Sequence, residues 1–277
     1  MIEQKKIIVV LPAYNAERTL ARTYHEIPRA IVDEVLLVDD GSQDRTVEVA
    51  RQLKVPCYRH TTNKGYGANQ KTCYQAALDR GADVVVMLHP DYQYPPELIP
   101  ALAGLVAAGR FHVVLGSRLL DGGAVRRGMP LYKYVCNRVW TWGQNLCLNQ
   151  RLSEYHTGFR AFSRHFLLSV PLLENSDDFL FDNQILVQAV YFGYAIGELA
   201  VPGRFTSDSS SISPWRGTWY GVGVVATTLQ YVLQRAGLLR CRLFDSRGRS
   251  LRDHHERYRE PASKSLARPG LDSPAVL

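Results

Sequence analysis

The chain has 277 residues, 46% hydrophobic and 21% charged, which is the ordinary balance of a globular protein with room for one large domain or two small ones. Its net charge is +7, but from Arg235 onward ten Lys and Arg stand against five Asp and Glu, so most of the excess sits in the tail. That placement speaks against nucleic acid as a partner and for an anionic membrane surface. The five cysteines are odd in number and show no CxxC spacing. They argue against a disulfide framework or a zinc site and for a reducing, cytoplasmic setting.

Met1 to Lys6 leads directly into a strand and reads as neither a signal peptide nor a transit peptide. Ile7 to Leu11 is an apolar run, expected as a buried strand, and ends in Pro12-Ala13-Tyr14-Asn15. A helix is expected over Glu17–Ile27, with Leu20, Tyr24 and Ile27 on one face and Asn15 as its cap. Tyr14 offers a flat ring for a base to lie on; the alternative is packing against the strand end. Val35 to Val38 reads as a second strand, closed by Asp39-Asp40-Gly41-Ser42, with a helix to about Leu53. Adjacent carboxylates at a strand end need donors, which a ribose or a base supplies. Asp39 is the preferred ligand residue, with Asp40 and Ser42 as candidates for helix capping.

A short strand over Val55–Arg59 precedes Asn63-Lys64-Gly65-Tyr66-Gly67-Ala68-Asn69-Gln70-Lys71 and a helix to about Arg80. The glycines permit close approach of a ligand. The spacing is neither a GxGxxG fingerprint nor a Walker A loop. Lys64 is either a phosphate contact or a solvated loop lysine.

Val84 to Leu88 reads as a fourth buried strand that ends in His89, Asp91 and Gln93. In an extended segment these three point the same way, an imidazole, a carboxylate and an amide converging past a strand end. That set suits Mn²⁺ or Mg²⁺ held jointly with substrate phosphates. The alternative is that Asp91 starts a turn and His89 ends the strand. Pro96 opens a helix to about Ala108, and Val113 to Gly116 reads as a fifth strand, followed by Ser117-Arg118. Strands alternating with helices imply an α/β fold with a mostly parallel sheet.

Residues 119–129, Gly-rich and basic, read as a mobile lid or as an ordinary connection. Thr206 to Pro214 is Ser-rich and reads as a flexible segment. Gly217 to Gln234 carries no charge but holds Gly, Thr and Gln, so it is expected to be an interfacial or dimerising helix, or a helix packed on its own domain, rather than a transmembrane span. From about residue 244 the composition reads as a disordered basic tail. The domain boundaries expected are 1–217, 218–243 and 244–277.

Several motifs taken together resemble family 2 glycosyltransferases of the GT-A fold: VVLPAYNAERTL at 9–20, VLLVDDGSQDRT at 35–46, NKGYGANQ at 63–70, the His89–Gln93 segment, and Gly116-Ser117-Arg118. SEYHTGFRAFSR at 153–164, FLFDNQIL at 179–186 and a strand at Ile196 to Val201 resemble the dolichyl-phosphate mannosyltransferase-like, polyprenyl-phosphate branch of that family. The resemblance covers about residues 5–215. It implies an inverting transferase that uses a UDP- or GDP-linked sugar, Mn²⁺ or Mg²⁺, and a polyprenyl or dolichyl phosphate, acting in the cytoplasm and peripheral to the inner membrane face.

The resemblance also implies roles. Pro12, Ala13, Tyr14, Glu17, Asp39, Asp40, Lys64, Gly67, His89, Pro90 and Asp91 would bind the nucleotide sugar. Asp91, Gln93 and His89 would hold the metal, and Arg118 the phosphates. Arg127, Lys133, Asn137, His156 and Arg160 would face the acceptor. His89 stands where the family motif has its first Asp, and Lys133 and Asn137 stand where the branch has Arg and Ser. With a phosphate acceptor no base is needed. With a hydroxyl acceptor on a glycan, glycoside or natural product, Asp182, set between apolar residues, would take the proton, with Glu154 as the fallback. A hydrogen-bonding role at a helix start is the alternative for Asp182. A third reading is a non-catalytic nucleotide-sugar binder weakened at His89. A homo-oligomer through the uncharged helix also fits.

Overall fold

In the computed structural model, which describes residues 2–205, 214–252 and 275–276, the apolar runs assemble into one sheet with helices on both faces. For residues 214–216 and 275–276 only the backbone is described. β1 (Ile7–Ala13) is buried along its whole length and lies at the centre, parallel to β2 (Glu34–Asp39) and β4 (Val84–Met87) on either side. These strands lack polar alternation because both faces are covered. Ile8, Val10, Leu36, Val38, Val85 and Met87 enter one core, and Ile7, Val9, Leu11, Leu37, Val84 and Val86 the other.

β3 (Cys57–Arg59) adds parallel to β2. On the far side, β5 (Val113–Ser117) pairs in parallel with β7 (Ile196–Ala200). Between β4 and β5 lies β6 (Arg160–Ser163), antiparallel to both. A two-residue β8 (Ala275–Val276) closes the order β7-β5-β6-β4-β1-β2-β3-β8. The sheet is thus mostly parallel, as expected, but with an internal reversed strand, β6, and a short antiparallel edge, β8, that the sequence did not announce. The chain order reverses at β1, between β4 and β2. The crevice outside the carboxyl ends there is where open α/β sheets bind ligands.

The helices are α1 (Leu20–His25), α2 (Thr46–Gln52), α3 (Tyr66–Asp79), α4 (Ile99–Ala107), α5 (Leu131–Leu148), α6 (Arg164–Ser169), α7 (Phe181–Tyr191) and α8 (Pro214–Arg235). α1 starts later than expected, and Asn15 does not cap it. The N–H groups of Asn15, Ala16 and Glu17 are taken by the side chains of Ser42, Thr46 and Asp44, so this segment is docked on the turn before α2 instead of coiling. Asn15 is in the left-handed region and its Oδ1 accepts from the Gln43 N–H. β3 is shorter than expected because the Val55 N–H returns to Ala50 at the end of α2.

Two further expectations are corrected. The Gly-rich segment is mostly helix: α3 begins at Tyr66, where the N–H groups of Gly67 and Ala68 donate to the Asp177 carbonyl. The body does not end at residue 243, since Leu243, Phe244 and Leu251 are buried in the core and the Arg249 guanidinium reaches Glu174. Residues 206–213 of the Ser-rich segment, and 253–274 of the basic tail, lie outside the described residues.

α8 lies against α5 and α7. Gly221 and Gly223 allow this, since a Cβ at either would come within 2.9 Å of Trp140 or 2.8 Å of Leu180. Among the described residues no helix is long and apolar enough to cross a membrane.

Candidate active site

At the carboxyl ends of β1 and β2, Pro12 and Ala13 are buried strand residues in register with Val38 and Asp39, and the ring of Tyr14, half of it exposed, follows. Asp39 is fully buried. Its Oδ2 accepts from the Ser42 N–H at 3.1 Å and lies 3.4 Å from Arg59 Nε. Its Oδ1 has no partner, and the nearby buried Asn69 Oδ1 has none either. Two orphaned acceptors at one strand end are costly unless a ligand supplies donors.

Asp40 is committed elsewhere. Its oxygens accept from the N–H groups of Lys64 and Gly65 and from His60 Nδ1, at 2.7 to 3.0 Å. It ties the 60–65 segment to β2 and neither caps α2 nor faces the crevice. Ser42 likewise caps no helix; its hydroxyl holds Asn15. Glu17 accepts from the Arg45 N–H. Lys64 is exposed. Gly67 has no room to receive a nucleotide: a Cβ there would sit 2.4 Å from the Ser176 carbonyl. It is a packing glycine, which corrects the expectation for it.

β4 stops at Met87, and the next residues turn. Tyr92 is in the left-handed region, and Asp91 Oδ1 accepts from the Gln93 N–H, so the strict alternation of His89, Asp91 and Gln93 is broken. The turn is clamped: Tyr92 lies between the guanidinium groups of Arg22, at 3.8 Å, and Arg204, at 4.3 Å, and its hydroxyl bonds Glu26. Pro90 is buried under Thr23. Asp91 is nearly buried, and His89 half-buried. Burial lowers the His89 pKa, with the charge of Asp91 opposing it. Among the described residues no three His, Cys, Asp or Glu side chains converge as a metal cluster.

His89 leads to a residue that sequence reasoning named only as part of a motif. Its Nε2 is 2.9 Å from the hydroxyl of Tyr66, which donates to Asp182 Oδ2 at 2.6 Å. The Tyr66 and His89 rings stack with centroids 5.4 Å apart. Gln70 Nε2 donates to Asp182 Oδ1 at 2.9 Å, and Arg160 Nη1 lies 3.4 Å from the same oxygen. Burial, and then the Asp182 charge, raise the Tyr66 pKa well above its usual value, so the phenol keeps its proton. Asp182 stands in the first turn of α7. The Asp177 carbonyl accepts from the first N–H groups of α3, and the Asp178 carbonyl accepts from the Phe181 N–H at the start of α7. No sequence spacing signals the contact between residues 66 and 182.

Arg118, just past β5, is gripped by Glu154 through its own N–H at 2.9 Å, through Nε at 3.1 Å and through Nη2; Nη2 also donates to the His156 carbonyl. Its Nη1 reaches Gln93 Oε1 only at 3.4 Å. Burial pushes the Glu154 carboxyl up, but the Arg118 charge and hydrogen bonds more than offset this and hold it below the usual range. Asn137 Nδ2 also donates to Glu154. Glu154 is therefore saturated with donors and is no fallback base.

Arg160 is fully buried. Its donors go to the carbonyls of Thr157, Tyr155 and Asp182. No acceptor can reach it, so its expected acceptor role is corrected: it is a strut beneath Asp182. Asn137 is nearly buried beside Glu154, and Lys133 is half-buried one turn earlier on α5. His156 Nδ1 bonds the hydroxyl of Tyr220 on α8 at 2.7 Å, while its buried Nε2 has no partner. Burial pushes the His156 pKa down to about 4. Arg127 closes the 119–129 loop on itself through Asp121 at 2.7 Å, over a small core of Leu119, Ala124 and Met129.

Residues 8–169 match the profile of Glycosyl transferase family 2. The chain is 27% identical to an undecaprenyl-phosphate mannosyltransferase of Micrococcus luteus, over 86% of this chain and 99% of that one. It is 28% identical to a dolichyl-phosphate hexose transferase of Haloferax volcanii, over 76% and 88% of the two chains. Its fold resembles that of glucosyl-3-phosphoglycerate synthase from Mycobacterium tuberculosis, solved with Mn²⁺, UDP and phosphoglyceric acid, with a TM-score of 0.65 at 20% identity over 86% and 80% of the chains. The architecture is the GT-A fold.

Proposed function

Since the chain belongs to glycosyl transferase family 2, we propose that it moves a sugar, with inversion, from a UDP- or GDP-linked donor to a polyprenyl phosphate at a membrane surface. The nucleotide lies across the ends of β1 and β2, its ring on Tyr14. Its donors satisfy the orphaned Asp39 Oδ1 and Asn69 Oδ1. His89, Asp91 and Gln93 would hold Mn²⁺ or Mg²⁺ together with the diphosphate, whose oxygens would complete the coordination. Bound there, the ion would neutralise charge on the departing diphosphate. Arg118 adds a fixed positive charge through Nη1, its least committed donor. The acceptor phosphate oxygen bonds to the anomeric carbon as the bond to the nucleotide's β-phosphate oxygen breaks. The acceptor is already ionised, so no base is needed, consistent with Glu154 being held by Arg118 and Asn137 and with Asp182 being engaged by Tyr66 and Gln70.

One observation carries the choice of acceptor. α5 carries Lys133 and Asn137, which would face the acceptor, α8 packs on α5, and much of the polarity of the two helices is inverted. Inside lie Asn137, Thr141, Gln144, Thr227 and Thr228, together with Leu148, Val224 and Tyr231. Outside, Trp142, Leu146 and Trp219 are 70%, 71% and 62% exposed, beside Val135, Val139, Val225 and Leu229. Contiguous exposed apolar surface of this kind marks an interaction site. No acidic residue occurs at 122–153 or 209–244, whereas Arg126, Arg138, Arg151, Arg235 and Arg240 are exposed. An anionic bilayer complements that charge. A second copy on the same face would set like charges together.

The test supplies the full chain with labelled UDP- or GDP-sugars, Mn²⁺, and polyprenyl phosphate in anionic vesicles. Formation of a glycolipid that is lost in Asp91→Ala supports the reading. Transfer only to water-soluble hydroxyl acceptors, or dimerisation through α5 and α8 without vesicle binding, overturns it.

A further inference from the structure

The geometry points to Tyr66 and Asp182 as positioning residues that fix the tautomer of His89, so that its Nδ1 faces the divalent cation as a bare lone pair. The inference rests on the donor reading above and concerns how this chain compensates for His89. A carboxylate ligates in either orientation and needs no proton assignment. A neutral imidazole ligates only through the nitrogen that lacks a proton, and the bond made by the other nitrogen decides which one that is.

That other bond is defined. Tyr66 has a single hydroxyl proton, and it goes to Asp182 Oδ2 at 2.6 Å. Toward His89 Nε2, at 2.9 Å, the phenol oxygen can then only accept, so Nε2 carries the proton. Asp182 is kept an acceptor by Gln70 at 2.9 Å and Arg160 at 3.4 Å, so it does not return a proton to Tyr66. The ring cannot swing away easily, because it stacks on Tyr66 and its Cδ2–Nε2 edge lies against Gly158, where a Cβ would come within 2.6 Å. Nδ1 has no hydrogen-bond partner among the described residues and is the remaining edge. This also accounts for why Asp182 receives donors from α3 and β6 while standing at the start of α7.

The test compares wild type, Tyr66→Phe and Asp182→Asn, each alone and combined with His89→Asp. The first readout is the ring ¹⁵N shifts of His89 in the metal-free protein, assigned with His89→Gln. The second is calorimetric affinity for Mn²⁺ in the presence of UDP or GDP. Wild type should show the Nε2–H tautomer. Tyr66→Phe should give a mixed tautomer and weaken Mn²⁺ about tenfold. Asp182→Asn frees the phenol proton for Nε2 and should act in the same direction. In the His89→Asp background both changes should leave Mn²⁺ affinity unchanged within about twofold.

A wild-type Nδ1–H tautomer, or equal losses of Mn²⁺ affinity in the His89 and His89→Asp backgrounds, overturns the inference. So does absence of metal binding in wild type. Failure of the donor reading is seen separately, as a protein that binds neither nucleotide while its His89 tautomer is as stated.

Discussion

α4 and α5 are both helices of the same body, yet they are built in opposite senses. α4 turns Ile99, Leu102 and Val106 into the core under the sheet, as an amphipathic helix should. α5 turns Asn137, Thr141 and Gln144 inward and leaves Leu131, Val135, Val139, Trp142 and Leu146 in solvent. Its buried amides are satisfied by partners. Gln144 and Asn183 exchange amide hydrogen bonds at 2.8 and 3.2 Å, and Gln144 Nε2 also donates to Thr228 on α8. The core around α4 is held by burial alone. In the wall where α5 meets α7 and α8, polar pairs stand beside buried apolar residues such as Val224 and Tyr231, and most of the apolar side chains of α5 face outward.

The sharpest contrast comes from the same truncation on the two helices. Leu102→Ala should destabilise the fold by about 2–5 kcal/mol. Leu146→Ala should change stability by about 0.5 kcal/mol or less, since that side chain already faces solvent. Urea unfolding of both variants reads the difference, and equal losses would break the comparison.

Next in size is a pH effect on the inward side of α8. His156, buried against Tyr220, has its pKa depressed to about 4, whereas in the unfolded chain it titrates near the ordinary 6.5. Between these values the unfolded chain binds the extra proton. The contribution is therefore complete above pH 6.5 and lost as pH falls toward 4. The loss is on the order of 3 kcal/mol. His156→Gln should flatten that slope of stability against pH.

A smaller effect is expected for Gln144→Leu, which adds apolar volume but leaves Asn183 without its amide partner. It should cost about 1–3 kcal/mol. A stabilised variant would show that the wall behaves like the α4 core after all.

The sheet was legible because parallel strands buried on both faces must be written as apolar runs, and β1, β2, β4 and β5 are. The strand-end residues were legible for the same reason: polarity resumes abruptly at Asp39 and His89. What was hidden depends on partners far apart in sequence. Nothing local marks Tyr66 as the bridge from His89 to Asp182, or Asn137 as a partner of Glu154. Arg160 looked accessible in a polar motif but closes three carbonyls inside the body. The apolar face was half legible: α8 reads as uncharged, but only the inward placement of Asn137 and Gln144 shows which side of α5 faces out.

The most direct measurement is sugar transfer by Trp142→Glu/Trp219→Glu to two acceptors, a long-chain polyprenyl phosphate in anionic vesicles and a short-chain, water-soluble prenyl phosphate. If the inverted helices seat the site on a bilayer, vesicle transfer should fall by about tenfold or more while the soluble reaction holds within about twofold. Parallel loss with both acceptors, or no loss with either, would contradict that placement.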